Sequence, residues 1–249
     1  MKKAILFDLD GTLIQFEQKT FEHEYFKRVT KRMVKLGFNP EQFMLQLNKA
    51  VKAMYKNDGT RTNEQVFVDC LKEIYSNEDF AIIDKEFTDF YNNNYDGLEE
   101  ISTPNPEIKQ IIEWCKNNFE YVLLTTNPFF PRFAVQQRLN WTKSGLKLED
   151  FDLVTTYETS HFSKPNPKYF EEVLSGFGLT PADCIMVGNN ELEDYIASSK
   201  MGMEAYLVGD HVMPCDEATI HPETLKFANL INTLKTQKKN KNKKENHLN

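Results

Sequence analysis

The chain has 249 residues, 30 of them basic and 37 acidic, for a net charge of −7; 40% of its residues are hydrophobic and 12% aromatic. That much apolar material can bury the core of one large domain or two small ones, which excludes disorder throughout. The acidic balance argues against a nucleic-acid partner, because such binding draws most of its affinity from basic groups on phosphates.

The opening Met1-Lys2-Lys3 imitates a signal peptide, but Asp8 and Asp10 end the apolar run Ala4-Ile5-Leu6-Phe7 after four residues. No later stretch approaches the roughly 18 apolar residues needed to span a bilayer. A soluble, cytoplasmic protein with no membrane partner is expected. Cys70, Cys115, Cys184 and Cys215 show no C-x-x-C spacing, so buried thiols in a reducing compartment are expected rather than disulfides or a zinc site.

Residues 4–7 predict a buried strand that delivers Asp8-Leu9-Asp10-Gly11-Thr12 into a loop. The period then changes. Phe21, Tyr25, Val29, Met33 and Leu36 recur at helical spacing and Gly37 ends the helix. Asn39-Pro40 starts a second helix carrying Phe43, Leu47, Val51, Met54 and Tyr55. After the loop at residues 57–60, Thr62-x-x-Gln65 is a capping box for a third, and Phe80, Ile83, Phe87, Phe90 and Tyr91 mark a fourth. Asn105-Pro106 predicts the cap of a further helix over Ile108 to Cys115, leading to a strand over residues 121–126. Strands are expected again at residues 151–156, 184–187 and 205–208, with helices near 131–139, 167–176 and 191–201.

Strands separated by helices define a Rossmann-like α/β fold, a parallel sheet flanked by helices. The expected organisation is an α/β core of residues 1–14 and 99–235, interrupted by an all-helical domain of residues 15–98. Residues 236–249 are expected to be a disordered lysine-rich tail. The stretch from Lys235 to Asn249 holds six lysines against one glutamate, so it carries +5 and the rest of the chain −12.

In an open parallel sheet, ligands bind beyond the carboxyl ends of the strands. Those ends carry Asp8 and Asp10, then Thr125-Thr126-Asn127, then Gly188-Asn189-Asn190 with Glu193 and Asp194 within the next helical turn. Lys164 precedes a helix that starts at Pro167. Carboxylates in such a crevice suit a hard, oxygen-seeking cation such as Mg²⁺. One carboxylate can attack a phosphorus atom while a second shuttles the proton, and a hydroxyl and an ammonium neutralise the phosphoryl oxygens. Singly, each feature is commonplace in turns and helix starts; their order at successive strand ends carries the weight.

Ile5-Leu6-Phe7-Asp8-Leu9-Asp10-Gly11-Thr12, Leu123-Leu124-Thr125-Thr126-Asn127, Lys164-Pro165-Asn166-Pro167 and Val187-Gly188-Asn189 through Asp194 resemble the four motifs of the haloacid dehalogenase (HAD) superfamily. The resemblance implies an HAD-like fold and a Mg²⁺-dependent phosphatase acting on a small phosphorylated metabolite through an aspartyl-phosphate. It implies Asp8 as nucleophile, Asp10 as general acid/base, Thr126 and Lys164 as phosphoryl stabilisers, and Asp8, Asp10, Asn189 and Asp194 as metal ligands. Thr125, whose alternation along the strand leaves it competing with Thr126, and Asn127 are candidate substrate contacts. The helical block at 15–98 sits where such enzymes carry a cap, and its loop could bring Lys56 or Arg61 to an anionic substrate. Phe129-Phe130 packs under that cap or fills core. Retention of Asp10 favours a phosphatase over a dehalogenase. The family's usual Gly-Asp is Gly188-Asn189 here, which removes one negative charge from the metal site. A phosphomutase and a non-catalytic phosphate-binding protein remain as alternatives.

Overall fold

The computed structural model describes residues 2–218 and 221–236; beyond Thr236, the expected tail lies outside the described residues. Strands β1 (Ala4–Phe7), β2 (Tyr121–Leu124), β3 (Leu153–Val154), β4 (Cys184–Gly188), β5 (Glu204–Val208) and β6 (Thr224–Leu225) form one parallel sheet in the order 3-2-1-4-5-6. The strand order reverses between β1 and β4, where ligand crevices open in doubly wound folds. Phe7 is level with Leu124 of β2 on one side and Val187 of β4 on the other. The residues that follow all three strands therefore emerge together.

Alternation along β1 sends Ile5 and Phe7 into one core and Ala4 and Leu6 into another, so the central strand is covered on both faces. The strands at 121–126 and 151–156 are shorter than expected. β2 stops at Leu124, and β3 is confined to Leu153–Val154, separated by Phe151 and Asp152 from the 3₁₀ turn Leu148–Asp150. β6 was not expected, since two residues carry no periodicity.

The insertion between β1 and β2 contains α1 (Gln18–Lys35), α2 (Pro40–Tyr55), α3 (Asn63–Lys72), α4 (Asn77–Asn92) and a single turn, α5 (Asn94–Gly97). Asn39 caps α2 through Gln42 N–H, and Thr62 and Gln65 close the expected capping box on α3. Tyr95 and Asp96 in α5 have a left-handed φ of 54°, held where the Tyr95 hydroxyl donates to the Ala134 carbonyl at 2.9 Å and Arg32 pairs with Asp96. The remaining helices are α6 (Ile108–Lys116), α7 (Arg132–Trp141), α8 (Pro167–Ser175) and α9 (Ala197–Lys200). Asn105-Pro106 does not cap α6, whose N-cap is Glu107; the Asn105 carbonyl instead closes the preceding turn. The helix expected over 191–201 begins as a π-helical turn, Glu191–Ile196, before α9.

The start of α3 anchors the insertion to the α/β part. Asn63 N–H and Glu64 N–H each donate to core carbonyls, of Ser160 and Tyr157, at 2.8 Å. The fully buried Asn63 amide donates to the Pro128 carbonyl and accepts from Asn57. All four cysteines are free thiols. Among the described residues, no helix is long and apolar enough to cross a membrane.

Candidate active site

The carboxyl ends of β1, β2 and β4 assemble the site. Gly11 turns the chain after β1 with φ +75°, and a Cβ there would lie 2.0 Å from the Asn189 amide. Gly188, the last residue of β4, leaves room of another kind, since a Cβ there would lie 2.2 Å from the Asp194 carboxylate. Gly11 thus lets the first motif close on the fourth, and Gly188 lets the fourth fold back on the end of its own strand.

Lys164 sits at the centre. Its ammonium, 1% exposed, donates to Asp8 Oδ1 at 2.7 Å and to Asp194 Oδ1 at 2.6 Å. The other oxygen of Asp194 accepts the backbone N–H groups of Asn189 and Asn190, which ties the π-helical turn to the end of β4. Asn127 Oδ1 accepts the Lys164 backbone N–H, and its amide donates to Glu193 at 2.9 Å. Burial pushes the Asp8 carboxyl up to about 7 against the opposing pull of Lys164, and burial likewise raises Glu193 to about 8. Burial would lower the Lys164 ammonium, but Asp194 and Asp8 outweigh it and hold it well above its usual value.

Asp10 is bound differently. One carboxylate oxygen accepts from the guanidinium of Arg138, while Oδ1 is buried with no partner among the described residues. Burial raises the Asp10 carboxyl, with Arg138 opposing. Arg138 is fully buried, lies 4.3 Å over the Phe130 ring, and is a site residue that the motifs missed. One signal was present: Arg138 falls at helical spacing from Ala134 and Val135, on the buried stripe of α7, and a charged side chain on a core-facing stripe needs a partner.

The two threonines separate. Thr126 lines the cavity with Asp8, Asp10, Asn127, Asn189 and Asp194. Thr125 is fully buried, and its hydroxyl lies against the Phe7 carbonyl and Met186 Sδ. Lys56 and Arg61 are not brought to the crevice. Both are exposed and neither lines the cavity, and Arg61 pairs with Asp69 of α3, the helix that follows it, at 2.7 Å. Of the aromatic pair, Phe129 meets Tyr55 of α2 with ring centres 4.4 Å apart, and Phe130 packs edge-on against Tyr25 of α1.

The residues present fit a hard cation through oxygen donors alone. Asp8 Oδ2 and Asn189 Oδ1 converge on the Thr12 hydroxyl at 3.4 and 3.3 Å, with Asp10 beside them. The fit depends on the neutral Asn189 amide, because among the described residues no cluster of three or more His, Cys, Asp or Glu side chains is arranged to hold a metal.

A doubly wound sheet with paired carboxylates and a buried ammonium at its switch point defines an α/β enzyme site. The family model described as haloacid dehalogenase-like hydrolase matches residues 2–202, and the chain belongs to that family. A glyceraldehyde 3-phosphate phosphatase from Methanothermobacter thermautotrophicus is 40% identical over 62 residues, but the match spans only 25% of this chain and 27% of that protein. Pyrophosphatase PpaX from Bacillus cereus is 23% identical over 207 residues, covering 82% of each chain. A crystal structure of a 2-haloacid dehalogenase from Pseudomonas syringae pv. Tomato DC3000 superposes with a TM-score of 0.65 at 20% identity, covering 95% of this chain and 100% of that one. That likeness establishes the shared fold.

Proposed function

We propose that the protein is a Mg²⁺-dependent phosphomonoesterase that forms an aspartyl-phosphate on Asp8, with the helical insertion of residues 15–98 as its cap. The observation that carries this reading is the buried Lys164 bridging Asp8 and Asp194, whose side chains line the cavity together with Asp10 and Thr126. The phosphatase and pyrophosphatase names of the two relatives support phosphoryl chemistry. Asp8 attacks phosphorus as the bond to the leaving oxygen breaks, and that oxygen takes a proton from Asp10. The unpartnered Oδ1 of Asp10 is the atom free to carry it, and burial favours the protonated form. Asp10 then accepts a proton from the water that hydrolyses the acyl-phosphate. Lys164 and the Thr126 hydroxyl neutralise the transferring oxygens. Asp8, Asp10, Asn189 and Asp194 would hold Mg²⁺, which would supply further charge neutralisation when bound.

The direct test is release of phosphate from acetyl phosphate with Mg²⁺, lost on chelation; turnover unaffected by chelation contradicts the metal requirement. Thr126→Val is expected to lower kcat by about 10- to 100-fold through loss of one phosphoryl donor. Thr125→Val should leave kcat within about twofold and act on stability alone, by roughly 1 kcal/mol; steady-state kinetics and denaturant melts on both variants check the assignment. Asn189→Asp restores a third carboxylate to the metal position. It should tighten Mg²⁺ binding by about tenfold in calorimetric titration, for a metal site gains affinity with ligand charge, and unchanged affinity would remove Asn189 from the ligand set.

A further inference from the structure

We propose that the substrate is the phosphate ester of a bulky apolar alcohol or phenol, whose hydrocarbon part lies inside the helical insertion. This inference rests on the phosphatase reading and specifies its substrate class. The cavity that opens on Asp8 and Thr126 has a volume of about 490 Å³ and runs between α1, α2, α3 and α4. Its size suits a drug-sized ligand rather than phosphate alone, since such sites span roughly 300–1,000 Å³.

The chemistry of the walls names the ligand. Away from the strand ends, the cavity is walled by Val51, Met54, Phe67, Phe80, Phe87 and Tyr91, all buried or half-buried. The Tyr25 and Tyr91 hydroxyls are bonded to each other at 2.8 Å, so each already has a partner. The polar lining residues of the insertion lie toward solvent: Glu22, Asn48, Lys52, Asp84 and Thr88 are exposed, and Gln18 is half-buried. Apolar depth with a polar rim is the arrangement that strips water from hydrocarbon.

A polyol or sugar phosphate would carry several hydroxyls into this space, where the tyrosine hydroxyls of Tyr25, Tyr55, Tyr91 and Tyr157 are the polar groups between the apolar walls, and would leave most of them without partners at the cost of their desolvation. A second anionic group fares no better, because Lys52, exposed at the rim, is the single Lys or Arg among the lining residues of the insertion. Aromatic side chains supply both area and edge-on contacts for a ring. Cleavage breaks the bond from phosphorus to the ester oxygen, transfers the phosphoryl group to Asp8 and gives the leaving oxygen the Asp10 proton, releasing an apolar alcohol.

Binding of non-hydrolysable phosphonates separates leaving-group selectivity from turnover. With Mg²⁺ present, 2-naphthylmethylphosphonate is expected to bind at least about tenfold more tightly than 2,3-dihydroxypropylphosphonate by calorimetry, reflecting the apolar area removed from water. Val51→Trp, which fills the cavity, should cut that ratio by about tenfold. Equal affinities, tighter binding of the dihydroxypropyl compound, or a ratio unmoved by Val51→Trp overturns the inference. Acetyl phosphate, which has almost no leaving-group bulk, reports on the chemistry alone. If it is hydrolysed while the phosphonates bind equally, the apolar selectivity fails and the phosphatase reading survives; if it is not hydrolysed, both fall.

Discussion

Asp8→Asn is expected to abolish phosphate release, lowering kcat by at least about 10³-fold, the scale on which nucleophile removal acts in enzymes with covalent intermediates. The amide is nearly isosteric with the carboxylate, and Lys164 keeps its bond to Asp194 at 2.6 Å, so the fold should persist. Circular dichroism should match the wild type while acid-stable labelling of the protein by phosphoryl donor disappears. Undiminished turnover in this variant would remove Asp8 from the nucleophile's position and with it the aspartyl-phosphate.

Lys164→Met should be the most damaging change to stability, about 3–5 kcal/mol. Asp8 and Asp194, with side chains only 9% and 1% exposed, share this ammonium as their common cation. Its removal leaves two buried carboxylates facing each other, and burial already raises Asp8 to about 7 with Lys164 in place. Methionine preserves most of the volume, so cavity formation contributes little. Chemical denaturation measures the loss. Lys164→Met combined with Asp194→Asn should recover part of it, because one uncompensated charge is gone; a loss below about 1 kcal/mol in the single variant would mean that the bridge is not a structural element of the site. Phosphate release should be lost in both variants if Lys164 holds the phosphoryl oxygens as proposed.

Local patterns explain why so much of the site was legible. The four-residue apolar run of β1 stops where Asp8 begins, and a buried parallel strand must place its next residues in the crevice. Thr62 and Gln65 announce α3 because a capping box is satisfied within four residues. The choice between Thr125 and Thr126 was not local. β2 ends one residue before the pair, and the register against Phe7 turns Thr125 into the sheet and leaves Thr126 at the cavity. Arg138 pairs with Asp10, 128 residues away, and no spacing within α7 encodes so distant a partner. Lys56 and Arg61 were misplaced for the converse reason: a basic loop between two helices has a composition but no direction, and the docking of Asn63 on Pro128 decides which way it faces.

By itself the sequence determined the alternation of strands and helices, the helical insertion after β1 and which polar residues stand at the strand ends, because each is written in periodicities of two or 3.6 residues and in residue types at strand ends. The tertiary structure decided what the apolar stripes of α1 to α4 do. Periodicity marks a face as hidden from water but does not say whether another side chain or an open volume lies opposite, since that depends on the distance between helices that are tens of residues apart. Here part of those stripes lines a cavity of about 490 Å³ reaching the carboxylates of β1, and residues that read as core become the wall against which a substrate is chosen.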